Sequence, residues 1–537
     1  MQSGIQALEI VFLLLMLFVV AFGAIAKRLQ LAYPIVLVIA GLLLSFVPGI
    51  PKITLNPDVV FFVVLPPLLY SAAWVTSWRE FSYNLVSICF LAFGLVTFTV
   101  LGVTETAGWI VPGFDWRVGL VLGAVVAPTD TIAATSIARR IGLPKRIVDV
   151  LEGESLLNDA TALLALEFGL AILTGGHTLT VGAGFLRLFY LIAVGIAVGL
   201  VVAEVVHLIE HSIDDAPIEV ALSILTPYAA YFAANWIHAS GVLAVVACGL
   251  YLSRKSSHFF SPTVRLQAWA VWDSFTFVLN GLVFVLIGLQ LPYVMAAIRD
   301  HNLYRLLGYG LSFSAFLILL RLVWLFPGAY VANWVRRRVL GQKEPPPGVR
   351  QVFVVGWTGM RGVISLAAAI ALPQTIAGKE FEQRDMIIFL AFSVILMTLV
   401  LQGLTLPPLI RRLGLAGTPL PDCEEELARR AILEAAVENL EVSRRKSQPG
   451  LTEVYDDLAL HYRRRLAALA RKEDDREGSG DTAFHDHFVK LSQELLQVER
   501  HTAVRLRNER RINDELLRQI ERELDLSEAH LEAKARK

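Results

Sequence analysis

Two short polar motifs lie within segments that are otherwise apolar enough to cross a membrane. The first is Thr129-Asp130, which follows Pro128, and the second is the sequence ESLLND at residues 154–159. A charged side chain at the bilayer centre costs at least about 2.5–3.5 kcal/mol, and such residues usually belong to ion or proton pathways. The two motifs therefore predict a site inside the membrane that takes up an ion or a proton.

The spacing of the second motif places its polar groups together on a helix. Glu154 and Asn158 are four residues apart, as are Ser155 and Asp159, so each pair shares one helical face. The alternative is a cluster at a helix start near the membrane surface, which suits Glu154 but not the more deeply placed Asp159. We therefore expect a compact polar patch on this helix.

The two aspartates are predicted to lie at similar depth. Asp130 and Asp159 each stand about 15 residues from the turn at Leu143-Pro144, which is roughly 20 Å along a helix on either side. An antiparallel helical hairpin would bring the two carboxyl groups together near the middle of the membrane. Facing carboxylates must be partly neutralised by a proton or a cation.

Interrupted helices are predicted at two places. Pro128 lacks an N–H and obstructs the preceding turn, and three glycines surround Arg361 in the segment Gly356–Gly362. A simple proline kink is the alternative at the first place, but Asp130 favours a site, because irregular backbone in a membrane lines a cavity or is buried in protein. Since the interruptions fall in corresponding halves of the chain, they indicate inverted repeats. Arg361 needs a buried anionic partner, for which we expect Glu154.

Composition divides the chain into two parts. Of its 537 residues 55% are hydrophobic, the mean hydropathy is +0.58, and half of all charged residues lie from residue 413 onward. We therefore predict an all-α polytopic membrane domain at 1–412 and a helical cytoplasmic regulatory tail at 413–537. No dense basic patch with interleaved aromatics indicates a nucleic-acid partner.

Runs of roughly 20 apolar residues predict about thirteen transmembrane helices. They lie near residues 8–26, 33–49, 57–75, 84–106, 117–138, 150–173, 183–209, 217–236, 239–253, 271–292, 304–335, 350–373 and 386–410. With the N-terminus outside and the tail in the cytoplasm, most Lys and Arg of the loops fall on the cytoplasmic side, as the positive-inside rule requires. The loop 210–216 is an exception, because it carries acidic residues and no Lys or Arg.

The combination of motifs resembles a known family. APTDT at 127–131, ESLLNDA at 154–160, GMRGVISLAAAIALP at 359–373 and LPPLL at 65–69 are similar to the bacterial, NhaP-like monovalent cation:proton antiporters of the sodium/proton exchanger type, the cation:proton antiporter-1 family. The resemblance covers residues 1–412. It implies thirteen membrane helices, a core domain that moves against a dimerisation domain, a homodimer, and a multi-pass protein of the bacterial inner membrane.

The resemblance also implies roles for the motif residues. Asp159 would bind proton or cation in turn, and Asn158, where electrogenic relatives have a second acid, implies electroneutral one-for-one exchange. The ligands of Na⁺ would be Asp159, Thr129, Asp130 and Ser155, and Glu154 with Arg361 would form a stabilising ion pair. One departure is Ser71, which stands where many relatives carry an acid on the third helix. The serine in place of an acid would affect which cation the site selects.

The expected function is Na⁺/H⁺ antiport coupled to pH regulation, with K⁺/H⁺ antiport as the alternative and Li⁺ as a further candidate cation. A cation channel or uniporter would use the same polar site but would conduct without moving protons. An enzyme is not expected, since the sequence has no HExxH motif or P-loop. No cofactor is expected beyond the transported ions.

Overall fold

The computed structural model describes most of the membrane domain and part of the tail. The described residues are 2–47, 55–175, 181–213, 215–259, 261–298, 302–342, 346–376, 379–417 and 423–445, with shorter stretches between 455 and 528. The chain divides into two compact units, Met1–Pro419 and Leu420–Lys537. This division lies close to the boundary predicted at residue 412.

Regular structure in the described part of the first unit is almost wholly helical. The first eight helices are α1 (Gln2–Leu29), α2 (Tyr33–Leu44), α3 (Pro57–Val75), α4 (Trp78–Ile110), α5 (Trp116–Val126), α6 (Ile132–Ile141), α7 (Lys145–Leu173) and α8 (Val181–Glu210). Next come α9 (Ala216–Trp236), α10 (Gly241–Phe259), α11 (Pro262–Leu289), α12 (Leu291–Ala297), α13 (Leu303–Arg338), α14 (Val349–Trp357), α15 (Val363–Ile370) and α16 (Arg384–Arg412). A two-stranded antiparallel hairpin pairs β1 (Thr375–Ile376) with β2 (Lys379–Glu380).

The helices have the length and composition of membrane spans. Within the described ranges, eight are long and apolar enough to cross a bilayer, and α2 and α5 are shorter apolar helices. Local signals fix several starts: Asp115 accepts a hydrogen bond from the Val118 N–H to cap α5, and a proline stands in the first turn of α2, α3, α9 and α11. The expectation of a helical multi-pass protein is thus met.

Both predicted interruptions are present. The α5 helix ends at Val126 and α6 begins at Ile132, so the connecting residues on both sides of Pro128 are extended or irregular. Likewise α14 ends at Trp357 and α15 begins at Val363. Each interruption leaves carbonyl groups at one helix end and N–H groups at the next without helical partners.

Two buried clusters of apolar side chains hold the unit together. The larger joins α2, α5, α15 and α16, and includes Leu122, Leu366 and Leu390. The smaller joins α3, α8, α9 and α10, and includes Tyr70 and Leu243. The α7 helix contributes to both, with Leu151 in the first and Leu156 in the second. Its polar face therefore lies between the two clusters.

The described part of the second unit is helical and strongly charged. Its longest helix is α17 (Cys423–Arg445). Ion pairs link Arg444 to Asp456, Arg463 to Glu441, and Arg500 to both Asp525 and Glu528. Most of these side chains are exposed, while Arg500 and Glu528 are half-buried. A solvent-exposed ion pair typically contributes no more than about 1 kcal/mol.

The crossing of α2 and α11 depends on glycine. A Cβ atom on Gly288 would overlap the backbone of α2 at Val38 and Leu42, whereas one on Gly308 of α13 would meet nothing within 4 Å. We expect Gly288→Val to lower the free energy of unfolding by about 1–3 kcal/mol, because the two backbones must separate. The melting temperature in detergent measures this. Gly308→Val is the matched control, and an equal loss in both variants would contradict the packing described.

Candidate ion-binding site

A cavity of about 570 Å³ lies at the centre of the first unit. Four of the five residues predicted to bind ions line it: Thr129, Asp130, Ser155 and Asp159. The hairpin of α6 and α7 thus brings the two aspartates to one cavity, as the sequence predicted from their equal distance to the turn. They interact electrostatically across it.

Asp159 is buried yet faces the cavity. Its residue is 4% exposed, and none of the described residues forms a hydrogen bond with its carboxylate. Ser155, one turn earlier on α7, also lines the cavity and donates a hydrogen bond from its hydroxyl to the Thr129 carbonyl at 3.2 Å. Asp159 is therefore a buried carboxylate that faces the cavity without a hydrogen bond from the described residues.

Asn158 lies beside the cavity, against the first interruption. Its amide nitrogen donates to the Thr129 hydroxyl oxygen at 2.6 Å, and that hydroxyl in turn donates to Glu154 Oε1 at 3.0 Å. The amide therefore fixes the direction of the Thr129 hydroxyl. Asn158 is absent from the cavity lining, so its role here is to position Thr129.

Asp130 joins the two interrupted helices. Its backbone N–H donates to the Met360 carbonyl at 2.8 Å, and its Oδ1 accepts from the Ile132 N–H at 2.9 Å. A Cβ atom on Gly362 would overlap the Asp130 carboxyl group, which therefore packs against the chain where α15 begins. Helix N-termini carry partial positive charge, so α6 and α15 both favour an anion at this position.

Glu154 pairs with Arg321, a correction to the predicted pairing with Arg361. Arg321 Nη1 and Nη2 donate to the two carboxylate oxygens at 2.6 Å and 2.9 Å, and both side chains are almost wholly buried. Arg321 Nη2 also donates to the Val355 carbonyl in the last turn of α14. The sequence contained a signal, since an arginine in the apolar segment of α13 needs an anionic partner. It did not reveal which arginine Glu154 would meet.

Arg361 binds the end of the other interrupted helix. Its Nε donates to the Val126 carbonyl at 3.2 Å and its Nη1 to the Gly359 carbonyl at 2.5 Å. Its backbone N–H donates to the Thr398 hydroxyl at 3.1 Å. Val126 ends α5, where carbonyls without helical partners carry partial negative charge. The anionic partner of Arg361 is therefore a helix terminus rather than a carboxylate.

The cavity reaches one end of the helical bundle. Arg139 and Glu152 line it there and form an ion pair at 2.6 Å, and Ser253 and Arg265 line it on the facing helices. These residues lie where α6 joins α7 and where α10 joins α11. The cavity thus connects Asp159 with that end, and polar and charged side chains line it along the way.

Comparison with known proteins identifies the architecture. The family model for the transmembrane sodium/hydrogen exchanger matches residues 13–412. The chain belongs to the sodium/hydrogen exchanger family. The resemblance predicted from the motifs is therefore confirmed, and the membrane domain of this exchanger is that of a transporter family rather than of an enzyme.

Individual relatives agree with this assignment. The exchanger is 31% identical to the uncharacterised Na⁺/H⁺ exchanger YjcE of Escherichia coli over 98% of this chain and 99% of that one. It is 33% identical to a sodium, potassium, lithium and rubidium/H⁺ antiporter of Bacillus pumilus, over 76% of this chain and 62% of the relative. The sodium proton antiporter MjNhaP1 of Methanocaldococcus jannaschii shares the fold, with a TM-score of 0.56, 17% identity, and coverage of 76% of this chain and 100% of that one.

A double-mutant cycle tests the corrected ion pair. We expect Arg321→Met to lower the stability of the exchanger by about 3–5 kcal/mol, because it leaves the Glu154 charge buried without a partner. Adding Glu154→Gln should recover much of that loss. Melting temperatures in detergent of the single and double variants give the coupling. The reference cycle combines Glu154→Gln with Arg361→Met, and a larger coupling there would favour the partner first expected.

Proposed function

We propose that this exchanger carries one monovalent cation, Na⁺, in exchange for one proton, and that both bind in turn at Asp159. The observation that carries the proposal is the contrast between two buried carboxylates that stand five residues apart on α7. Glu154 is neutralised by Arg321, while the Asp159 carboxylate faces the cavity without a hydrogen-bond partner among the described residues. A site that must hold either ligand, but not both, couples the two gradients.

A count of charges supports electroneutral exchange. The site has three carboxylates, Glu154, Asp130 and Asp159, and two arginines, Arg321 and Arg361. With all of these groups ionised, the site carries one net negative charge. One proton or one monovalent cation restores neutrality, which low-dielectric surroundings strongly favour. The proton and the cation therefore compete to neutralise the same negative charge, that of Asp159.

Oxygen atoms around Asp159 supply the proposed cation site. The Ser155 hydroxyl, the Asp130 carboxylate and Thr129 line the same cavity, and carboxylate, carbonyl and hydroxyl oxygens suit hard cations. Ser71 also lines the cavity, where its hydroxyl donates to the Leu68 carbonyl at 2.9 Å, and it adds no negative charge. The Bacillus pumilus relative is named for sodium, potassium, lithium and rubidium, so K⁺ and Li⁺ are the competing candidates.

The proposed transport cycle is alternating access. We place thirteen membrane helices, built as inverted repeats, in the bacterial inner membrane, with the N-terminus outside and the regulatory tail in the cytoplasm. By the positive-inside rule the cavity end near Arg139 and Arg265 is cytoplasmic, so the conformation described here is inward-facing. Movement of the interrupted helices against the remaining helices of a homodimer would expose Asp159 to the outside. A channel or uniporter would carry the cation without coupling its movement to that of protons.

Asp159→Asn should abolish cation-dependent proton movement, because the amide takes up neither ligand as a counter-charge. Proteoliposomes loaded with a pH-sensitive dye measure this, with Na⁺, K⁺ and Li⁺ compared in parallel. The matched control is Glu167→Gln, which removes an exposed carboxylate from the same helix. Retention of more than a small fraction of the exchange by Asp159→Asn would refute the assignment. Cation flux that needs no opposing proton gradient would favour the channel.

Asn158→Asp tests the proposed stoichiometry. The added carboxylate raises the net negative charge of the empty site from one to two, so a single cation no longer restores neutrality. We expect exchange in this variant to become sensitive to the membrane potential. A K⁺ gradient with valinomycin sets the potential, and Na⁺-driven proton movement is measured at each value. Asn158→Gln, which keeps the amide, is the control. An active Asn158→Asp variant that stays insensitive to voltage would contradict the charge count.

A further inference from the structure

A surface pocket of about 340 Å³ lies at the end of α13 and shares no lining residue with the central cavity. Its lining residues are Tyr330, Asn333, Trp334, Arg337 and Arg338. These positions are separated by three or one residues in turn, so they form a single face of the last turns of the helix. Two arginines and two aromatic rings thus face a pocket that the ion site does not account for.

Three consecutive arginines end α13, and their surroundings differ. Arg336 is buried, its Nε donates to Gln342 Oε1 at 2.6 Å, and its guanidinium lies 5.0 Å from the centre of the Tyr83 ring. Arg337 and Arg338 are exposed at the pocket, and none of the described residues forms an ion pair with either. The pocket therefore offers two positive charges to an anionic ligand.

Asn333 indicates a ligand independently of the arginines. It is only 8% exposed although it lines the pocket, and no described residue forms a hydrogen bond with its side-chain amide. A buried amide without a partner costs free energy, which a hydrogen bond from a ligand would offset. The amide places N–H donors beside two guanidinium groups, and arginine binds phosphate oxygens through paired N–H groups. A phosphate group with further oxygen atoms fits this arrangement.

The same face of α13 continues away from the arginines as an exposed apolar stripe. The stripe consists of Leu319, Val323, Tyr330 and Trp334, which lie close together around the helix axis and are all exposed. With 36 residues the helix is about 54 Å long, more than the roughly 40–45 Å of a bilayer with its headgroups. Tyrosine and tryptophan prefer the membrane–water interface, and arginine prefers its cytoplasmic side. The pocket therefore lies at the level of the lipid headgroups.

We propose that this pocket binds the headgroup of an anionic phospholipid, in the cytoplasmic leaflet of the orientation proposed above. The lipid phosphate accepts hydrogen bonds from the guanidinium groups of Arg337 and Arg338. The Asn333 amide donates to a phosphate or ester oxygen of the same lipid, and one acyl chain lies along the apolar stripe. Basic pockets on the cytoplasmic side of membrane helices suit such headgroups.

A lipid fits the pocket better than a free phosphate ion. A free ion would contact the two arginines and the amide but would leave the aromatic rings and the apolar stripe uncovered, whereas a phospholipid covers both. The position also matters for the ion site, because α13 carries Arg321, the partner of Glu154. A bound lipid holds the end of that helix at the membrane surface.

Lipid binding can be measured on the full-length protein in detergent, without transport. Native mass spectra of the delipidated protein count bound lipids during titration with phosphatidylglycerol, and phosphatidylcholine is the lipid without net charge. We expect one phosphatidylglycerol per chain to bind at least about tenfold more weakly in the pocket variant, which combines Arg337→Gln with Arg338→Gln, because both charges attract the phosphate. The matched control combines Arg411→Gln with Arg412→Gln, two exposed arginines at the end of α16. Unchanged binding in the pocket variant, or an equal loss in the control, would overturn the proposal.

Inorganic phosphate distinguishes the lipid from a free anion. Phosphatidylglycerol should raise the melting temperature of the unsubstituted protein, since a ligand of the folded state stabilises it. The shift should disappear in the pocket variant and shrink in Asn333→Leu, which keeps both arginines. Inorganic phosphate at the same concentration should neither cause the shift nor displace the lipid, and displacement would show an adventitious ion only and refute the lipid. Neither measurement depends on exchange at Asp159, so a failure here bears on the pocket alone.

Discussion

The central constraint on this structure is that two helices end inside an apolar interior. Each end exposes backbone groups that must find partners, since an unpaired group away from water costs about 1–3 kcal/mol. The partners are supplied by the other interrupted helix and by two arginines. The Asp130 N–H meets the Met360 carbonyl, Arg361 meets the Val126 carbonyl, and Arg321 meets the Val355 carbonyl. The region where the two interrupted helices meet is therefore a network of charged side chains and backbone dipoles.

This network explains the unequal roles of the carboxylates. Arg321 occupies both oxygens of Glu154, and the helix starts at α6 and α15 favour the anion at Asp130. The Asp159 carboxylate has no comparable partner among the described residues and faces the cavity. A buried arginine thus neutralises Glu154, whereas Asp159 is the carboxylate that we propose exchanges a proton for a cation. Removing a charge anywhere in the network would change the charge balance of the whole site.

Much of the fold was predictable because its signals are local. Apolar runs mark helices, Pro128 and the glycines around Arg361 mark the interruptions, and equal distances from Leu143-Pro144 place Asp130 and Asp159 in one cavity. The assignment of Arg361 to Glu154 failed for a different reason. Two buried arginines were available, and sequence spacing does not determine which of them lies beside a given carboxylate.

The sequence by itself determined that this chain is a membrane-embedded exchanger with carboxylates on its interrupted core, because hydropathy and motif spacing act over one or two helical turns. Only the tertiary structure determined which buried charged side chains pair with one another. Arg321 on α13 lies 167 residues from Glu154 on α7, and the two meet because α13 packs against α14, which in turn contacts α7. Charge pairing across long sequence separations depends on how helices pack, which no local pattern records.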